Sequence, residues 1–220
     1  MILPSSVADL DNDAFRGCRS LVELQLNEGL QTIGDYAFQH CKSLRSVTLP
    51  STVTWLGKSV FDDCYGLAEV ELNEGLRVIG RAAFIQCTEL QSVTFPSSVT
   101  ELGEVAFWGC NSLVKVQLNE GLLVIGPGAF QNCTALRSVA VPSTVTVLDN
   151  VAFWGCNSLV KVQLNEGLQI IGPSAFKNCT ALPSVIFPST ATVLGKLLQV
   201  SFPRLQEPHR SAVERGIADY

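Results

Sequence analysis

The stretch VAFWGCNSLVKVQLNEGL occupies residues 105–122, and the same eighteen residues return at 151–168. The two copies begin 46 residues apart. Identity over this length indicates a repeat protein, in which one structural unit is copied along the chain and stacked on its neighbours. The positions of the cysteines give the length of that unit.

Cysteine, phenylalanine and leucine recur together at intervals of 23 residues. The cysteines are Cys18, Cys41, Cys64, Cys87, Cys110, Cys133, Cys156 and Cys179. A phenylalanine stands three residues before each, at Phe15, Phe38, Phe61, Phe84, Phe107, Phe130, Phe153 and Phe176. A leucine stands three residues after each, from Leu21 to Leu182. The spacing predicts about eight units of 23 residues.

Odd and even units differ in the turn that follows their strand. Odd units carry NEGL at 27–30, 73–76, 119–122 and 165–168, whereas even units carry PST-like turns at 50–53, 96–99, 142–145 and 188–191. Both turns use residues that favour chain reversal. The doubled stretch therefore reflects the copying of a module of two units.

One unit reads as a strand, a turn, a bend and a second turn. Val116 and Leu118 alternate with Lys115 and Gln117, which is the pattern of a half-buried strand. Gly126 suits a sharp bend after the first turn. The spacing of Phe, Cys and Leu in A-F-x-x-C-x-x-L predicts one short helical or 3₁₀ turn.

A single unit of this kind cannot bury its own apolar side, so the units must stack. Strands of successive units would lie about 4.8 Å apart and form a parallel sheet. We therefore predict a β-rich, right-handed α/β-type solenoid with a parallel sheet on one face and short helical or 3₁₀ turns on the other. It should cover residues 1–195 and begin in the middle of a repeat.

Two stretches carry a resemblance to a known family. LRSVTLPSTVTWLGKSVFDDC (44–64) and LQSVTFPSSVTELGEVAFWGC (90–110) resemble the BspA-like group of leucine-rich repeats, whose 23-residue unit combines L-x-x-L-x-L with I-G-x-x-A-F-x-x-C. The resemblance covers about residues 3–195. It implies a leucine-rich-repeat solenoid used in recognition and adhesion at microbial surfaces, without a shared catalytic activity or cofactor.

Composition and charge exclude several kinds of partner. The net charge of −5 disfavours duplex nucleic acid, which needs a basic stripe. No apolar run reaches the length of a membrane span, so no membrane insertion is expected. The cysteine spacing of 23 does not suit zinc, and a ladder of buried thiols accounts for all eight cysteines.

The two ends of the chain carry separate predictions. Leu3, Pro4 and Val7 match mid-repeat positions, so the first coil would leave an unpaired strand edge through which self-association is possible. Without signal-peptide features, a cytoplasmic location is favoured; a truncated N-terminus would point to the cell surface. Residues 196–220 leave the repeat register and form either a C-terminal cap or a partly disordered tail, with Leu197, Leu198, Val200 and Phe202 as the cap residues.

Catalytic and metal sites find little support. His40 and His209, the two histidines, are expected at the surface rather than as bases. Asp9, Asp11 and Asp13 resemble the start of a calcium loop, but a calcium loop needs glycine where Ala14 stands. No catalytic, cofactor-binding or metal-binding residue is therefore predicted.

The strand face is the predicted binding surface, for a protein or peptide. Its long polar side chains change from acidic to basic along the solenoid. They are Glu23, Gln25, Glu69, Glu71, Lys115, Gln117, Lys161 and Gln163. Trp108 and Trp154 follow buried phenylalanines and would either project outward on the convex side as recognition anchors or pack partly against the adjacent coil.

Three functional hypotheses follow from these observations. The first is a non-enzymatic scaffold that recognises a protein or peptide through the strand face. The second is a fragment of a secreted or cell-surface adhesin, for which the NCT motifs at Asn132 and Asn178 would be glycan acceptors. The third is an accessory recognition domain of a larger enzyme.

Overall fold

Fifteen short β-strands, all paired in parallel, alternate with turns along residues 1–194, the part of the chain that the computed structural model describes. No helix occurs among these residues. The strands are β1 (Asp9–Leu10), β2 (Thr32–Ile33), β3 (Ser46–Thr48), β4 (Trp55–Leu56), β5 (Glu69–Glu71), β6 (Val78–Ile79), β7 (Ser92–Thr94), β8 (Glu101–Leu102), β9 (Lys115–Gln117), β10 (Val124–Ile125), β11 (Ser138–Ala140), β12 (Val147–Leu148), β13 (Lys161–Gln163), β14 (Ile170–Ile171) and β15 (Val193–Leu194).

The three-residue strands form the predicted parallel sheet. β7, β9, β11 and β13 are hydrogen-bonded in that order, and β3 pairs with β5. The register is one repeat: Lys115 lies opposite Ser92 and Ser138. An isolated bridge between Glu23 and Ser46 extends the sheet to the first unit. This arrangement confirms a parallel-strand solenoid of about eight coils, which we number by their cysteines from Cys18 (coil one) to Cys179 (coil eight).

The two-residue strands form a second sheet that the sequence did not predict. Nine of them stack in the order β1-β2-β4-β6-β8-β10-β12-β14-β15. Each strand except β15 turns one side chain inward, as Ile125 does in β10, and one outward, as Val124 does. Both residues of β15 are exposed. A strand of two residues is too short to show a recognisable alternation of apolar and polar residues in the sequence. Such strands form a sheet only when the coils stack.

A ladder of phenylalanine rings fills the core between the sheets and the turns. Each ring from Phe15 to Phe176 stacks on the next, with centroids 5.0–5.6 Å apart and planes within 14° of parallel. Offset stacking at this distance is favourable for aromatic pairs. The rings from Phe38 to Phe176 are almost completely buried. The stacking of the units that the repeat predicted is confirmed.

The cysteines form a second ladder beside the rings. The thiols of coils two to eight are buried and unpaired, and each donates a hydrogen bond to the phenylalanine carbonyl of the preceding coil, at 3.1–3.2 Å. For example, the Cys110 thiol bonds to the Phe84 carbonyl. The prediction that all eight thiols are buried is wrong for Cys18, which is exposed. Cys18 lies in coil one, and no phenylalanine stands within residues 1–14 whose carbonyl could accept a hydrogen bond from its thiol.

The expected short helical or 3₁₀ turn is replaced by a turn whose hydrogen bonds alternate. Cys41 N–H donates within its coil to the Phe38 carbonyl at 3.2 Å, whereas Phe38 N–H donates to Val60 in the next coil at 3.0 Å. His40 has a positive φ of 62°, and its N–H donates to the Asp62 carbonyl of the following coil at 2.8 Å. Because every second N–H bonds to a neighbouring coil, a continuous helical ladder cannot form.

The alternation of NEGL and PST-like turns has a structural cause. Thr144 of an even coil lies beside Gly121 of the odd coil before it. Its hydroxyl accepts a hydrogen bond from the Gly121 N–H at 3.2 Å and donates to the Leu122 carbonyl at 2.8 Å. Thr52, Ser98 and Thr190 make the corresponding bond to the leucine carbonyl. The even turn therefore supplies the polar groups that the glycine turn lacks.

Glycine is required in the odd turns because they pass close to the coil before them. Gly121 has a φ of 133°, and a Cβ there would lie 2.5 Å from the Ser97 carbonyl oxygen. The neighbouring asparagines also hold the preceding coil: the Asn27 amide donates to the Pro4 carbonyl at 2.8 Å, and Asn73 and Asn165 donate to Leu49 and Val141. Odd and even coils are thus complementary, which explains why they are copied as a pair.

The predicted cap residues Leu197, Leu198, Val200 and Phe202, and the tail 196–220 as a whole, lie outside the described residues.

Candidate recognition surface

Three outward columns of side chains, one residue per coil in each, make up the strand face. All are exposed except Ala68, which is half-buried. The first column is Val22, Arg45, Ala68, Gln91, Val114, Arg137, Val160 and Pro183. The middle column is Glu23, Ser46, Glu69, Ser92, Lys115, Ser138, Lys161 and Ser184. The last column is Gln25, Thr48, Glu71, Thr94, Gln117, Ala140, Gln163 and Ile186.

The eight polar residues predicted for the strand face all lie on this surface and are exposed. Between their columns the inward side chains are apolar, as at Val93 and Val139, which are 2% and 3% exposed. Parallel register aligns residues that are 23 apart in sequence, so each column repeats at the strand spacing of about 4.8 Å. The result is a ribbon one strand wide and eight coils long.

Charge changes sign along this ribbon. Coils one to three contribute Glu23, Glu69 and Glu71 against one cation, Arg45. Coils five to seven contribute Lys115, Arg137 and Lys161 and no acidic side chain. Coil four, with Gln91, Ser92 and Thr94, is uncharged and separates the two segments.

The acidic segment contains a shallow depression. It is lined by Ser46, Val47, Thr48, Glu69, Val70, Glu71 and Ser92. The depression lies where β5 and β7 are neighbours without hydrogen-bonded pairing. Thr48 Oγ1 donates to Glu71 Oε2 at 3.1 Å and holds that carboxylate over the sheet. Both glutamates remain exposed.

Trp108 and Trp154 do not extend the strand face. They belong to the turn segments that follow the second sheet, and both are half-buried rather than exposed. The repeat register places Gln131 between them, one coil from each. Half-burial agrees with the alternative that each ring packs partly against an adjacent coil, and the role of Trp108 and Trp154 as recognition anchors stays a prediction.

The outer row of the second sheet is a surface that sequence reasoning missed. Trp55 on β4 is 42% exposed, Ile170 is 39% exposed and Val193 is 50% exposed. Val124 and Val147 continue the same row and are half-buried. Four consecutive coils carry an apolar residue at this position, which could have indicated the row. Because no strand was predicted there, the sequence did not show that these side chains point outward.

The other chemically interesting groups do not assemble into a site. Asp9 accepts a hydrogen bond from Thr32 Oγ1 at 2.6 Å, and Asp13 pairs with Arg16 at 2.9 Å. Within residues 1–194 no three His, Cys, Asp or Glu side chains converge as metal ligands. His40 is half-buried and pairs with Asp63 at 3.1 Å, and His209 lies outside the described residues.

The asparagines of the two NCT motifs, which would be glycan acceptors in a secreted protein, differ in exposure. Asn178 is exposed, whereas Asn132 is half-buried. The Asn132 side chain also occupies the space where Gly155 of the next coil would carry a Cβ. Among residues 1–194 there is no helix with the length and apolar character needed to span a bilayer.

Comparison with known proteins agrees with this architecture. The family model described as BspA type leucine rich repeat region matches residues 1–114 and 106–201, in six copies. The chain therefore belongs to the BspA-type leucine-rich repeat family, as its repeat motif predicts. A search of curated protein sequences gave no match.

Solved structures of bacterial leucine-rich repeat proteins share the fold. A protein from Bacteroides ovatus is 28% identical over 89% of this chain, with a TM-score of 0.83; the chain spans 53% of that protein. TpLRR from T. pallidum is 34% identical over 83% of this chain and 77% of its own, with a TM-score of 0.66. A leucine rich cell surface protein from Faecalibacterium prausnitzii is 26% identical over 82% of this chain and 57% of its own, with a TM-score of 0.54.

Proposed function

We propose that this protein is a non-enzymatic scaffold that recognises a protein or peptide through its strand face. The family is typically built for protein interaction, and the strand face supplies what such an interaction needs. Its polar and charged side chains are outward and exposed on strands that pair from coil to coil. Rigid display reduces the ordering entropy that binding must overcome.

The chemistry of the surface supports binding over catalysis. Paired carboxylates act as acid and base when a pocket removes water from one of them and places it against a substrate. Glu69 and Glu71 are instead exposed on an open sheet, and Glu71 is engaged by Thr48. Such groups are suited to pairing with cations of a partner.

A second candidate is a fragment of a cell-surface adhesin, favoured by the similarity to the cell surface protein from Faecalibacterium prausnitzii. In that case the strand face would bind a host or neighbouring-cell protein. The chain spans only about half of the Bacteroides ovatus protein.

The proposal is tested with a display library of random peptides selected on the full chain. The affinity of the selected peptides is then measured for wild type and for two variants. The strand-face variant is Ser92→Arg/Thr94→Arg, and the control is Gln31→Arg/Thr54→Arg, which adds the same charge beside the second sheet. We expect the strand-face variant to change the affinity of the selected peptides at least about tenfold, weakening cationic or apolar peptides and strengthening acidic ones. The control should bind normally, and both variants should melt like wild type. Equal binding to both variants would refute strand-face recognition.

A further inference from the structure

Coils five to seven of the strand face form a surface with a distinct chemistry, which we call the cationic segment. Its nine positions are Val114, Lys115, Gln117, Arg137, Ser138, Ala140, Val160, Lys161 and Gln163. Three of these are cations and none is acidic. All nine side chains are exposed.

The three cations have no partner of their own within the described part of the chain. The ion pairs among residues 1–194 join Arg16 to Asp13, His40 to Asp63 and Arg81 to Glu104. Lys115, Arg137 and Lys161 take part in none of these pairs and in no side-chain hydrogen bond from residues 1–194. Their donors are therefore free to pair with carboxylates of a second molecule, and desolvation would strengthen such pairs.

Two exposed valines accompany the cations. Val114 is 43% exposed and Val160 is 53% exposed, and each directly precedes one of the lysines. Apolar surface beside cations favours a partner that carries both carboxylates and apolar side chains. A nucleic acid or sulfated polysaccharide would pair with the cations but would leave the valines uncovered.

The N-terminal end of the same ribbon provides an internal contrast. At the positions equivalent to Lys115 and Lys161, coils one and three carry Glu23 and Glu69, and Glu71 adds a third carboxylate. The apolar residues there are Val22 and Ala68. An acidic partner would thus be repelled at one end and attracted at the other, which fixes where it docks.

The size of the surface favours a short linear segment over a second copy of this chain. Eight coils at about 4.8 Å and a strand width of about 10 Å give roughly 400 Å² per molecule, half of what a stable interface buries on each side. The cationic segment is about 15 Å long by the same spacing. Lys115 and Lys161 are two strands apart, about 10 Å, which matches residues three apart in an extended polyproline-like peptide.

We propose that the cationic segment binds an acidic peptide segment, whose carboxylates pair with Lys115, Arg137 and Lys161 and whose apolar side chains cover Val114 and Val160. This inference rests on the proposed function and specifies its ligand. The valines give the site a preference for polypeptide over other polyanions. Such a partner would be an acidic tail or linker of another protein.

The test uses fluorescence anisotropy with a labelled peptide that has glutamate at every third position and leucine or valine between. We expect the full chain to bind this probe and Lys115→Glu/Lys161→Glu to bind it at least about tenfold more weakly. Arg77→Glu/Lys177→Glu, with the same change in net charge away from the strand face, should bind within about twofold of wild type. A glutamine version of the probe should lose binding as the lysine variant does.

Further arms separate the alternatives. Val114→Ser/Val160→Ser should weaken binding of the peptide severalfold and leave binding of a heparin fragment unchanged. Tighter binding of heparin or duplex DNA than of the peptide would overturn the inference in favour of a general polyanion site. A dimer in sedimentation that Lys115→Glu/Lys161→Glu dissociates would assign the surface to a second copy. If library peptides still need the strand face but the acidic probe does not bind, this inference fails while the proposed function stands.

Discussion

The carboxylate of Glu74 accepts two hydrogen bonds from Ser97 in the following coil, one from the backbone N–H at 3.0 Å and one from the hydroxyl at 2.9 Å. We call this pair of hydrogen bonds a clasp, and the same clasp joins Glu120 to Ser143. Glu28 and Glu166 clasp Ser51 and Ser189 likewise. Each clasp runs from an odd coil to the next even coil, so it ties together the two halves of the copied module.

The clasps predict a component of stability that depends on pH. Hydrogen bonds from the Ser97 backbone and hydroxyl lower the pKa of Glu74 below its ordinary value of 4.5, and the Ser143 hydroxyl and backbone lower the pKa of Glu120. A lowered folded-state pKa adds stability that is fully present above the unfolded value and is lost as pH falls through the folded one. Urea denaturation between pH 7 and pH 3 should show a smaller acid loss in Glu74→Gln/Glu120→Gln than in wild type.

The matched control for the clasps is Glu89→Gln/Glu101→Gln, which changes two exposed glutamates that make no side-chain hydrogen bond within the described residues. This control should follow the wild-type dependence on pH. Parallel curves for the clasp variant and wild type would show that the hydrogen bonds do not contribute.

The phenylalanine ladder predicts a steep cost for an interior gap. Phe107 is fully buried and stacks on Phe84 and Phe130 at 5.0 and 5.6 Å. Phe107→Ala should lower the free energy of unfolding by about 3–5 kcal/mol, through lost burial and a residual cavity. Phe15→Ala should cost less, because Phe15 is half-buried and stacks on Phe38 alone. Equal losses in denaturant titrations would contradict a stacked core.

The cysteine ladder predicts one reactive thiol in the native protein. Burial raises the pKa of Cys41 to about 11 and that of Cys110 to about 12, which leaves little thiolate near pH 8. Cys18 is the exposed exception. Ellman's reagent at pH 8 should therefore titrate one thiol per native chain and all eight cysteines after unfolding. Cys18→Ser should abolish the native reaction; a fast second thiol would mean that a coil opens.

The odd turns predict an intolerance of side chains. Gly121→Ala places a Cβ against the Ser97 carbonyl at a φ of 133°, and should cost roughly 1–3 kcal/mol or displace the turn. Gly17→Ala is the matched comparison, because its φ is 74° and nothing lies within 4 Å of the new atom. It should cost about 1 kcal/mol, from backbone conformation alone. Thermal melts of both variants would distinguish crowding from conformational strain.

Sequence and structure contribute differently to the candidate site. The outward direction of Lys115 and Lys161 follows from alternation with Val116 and Val162, so these two residues could be predicted. The choice between an outward and a partly packed Trp108 could not be made, because it depends on which side chain of the neighbouring coil lies beside the ring. The exposure of Trp55 was also hidden, since a strand of two residues leaves no alternation to read.

By itself, the repeated sequence determined the period of 23 residues, the stacked ladders of Phe and Cys, and the strand face with its change of charge. These follow because a coil that cannot bury its own apolar side must place equivalent residues above one another. Only the tertiary structure decided the second sheet, the alternating hydrogen bonds of the turns and the clasps between odd and even coils. Those features depend on backbone and side-chain groups of adjacent coils meeting at hydrogen-bonding distance, and that distance exists only after the coils have stacked.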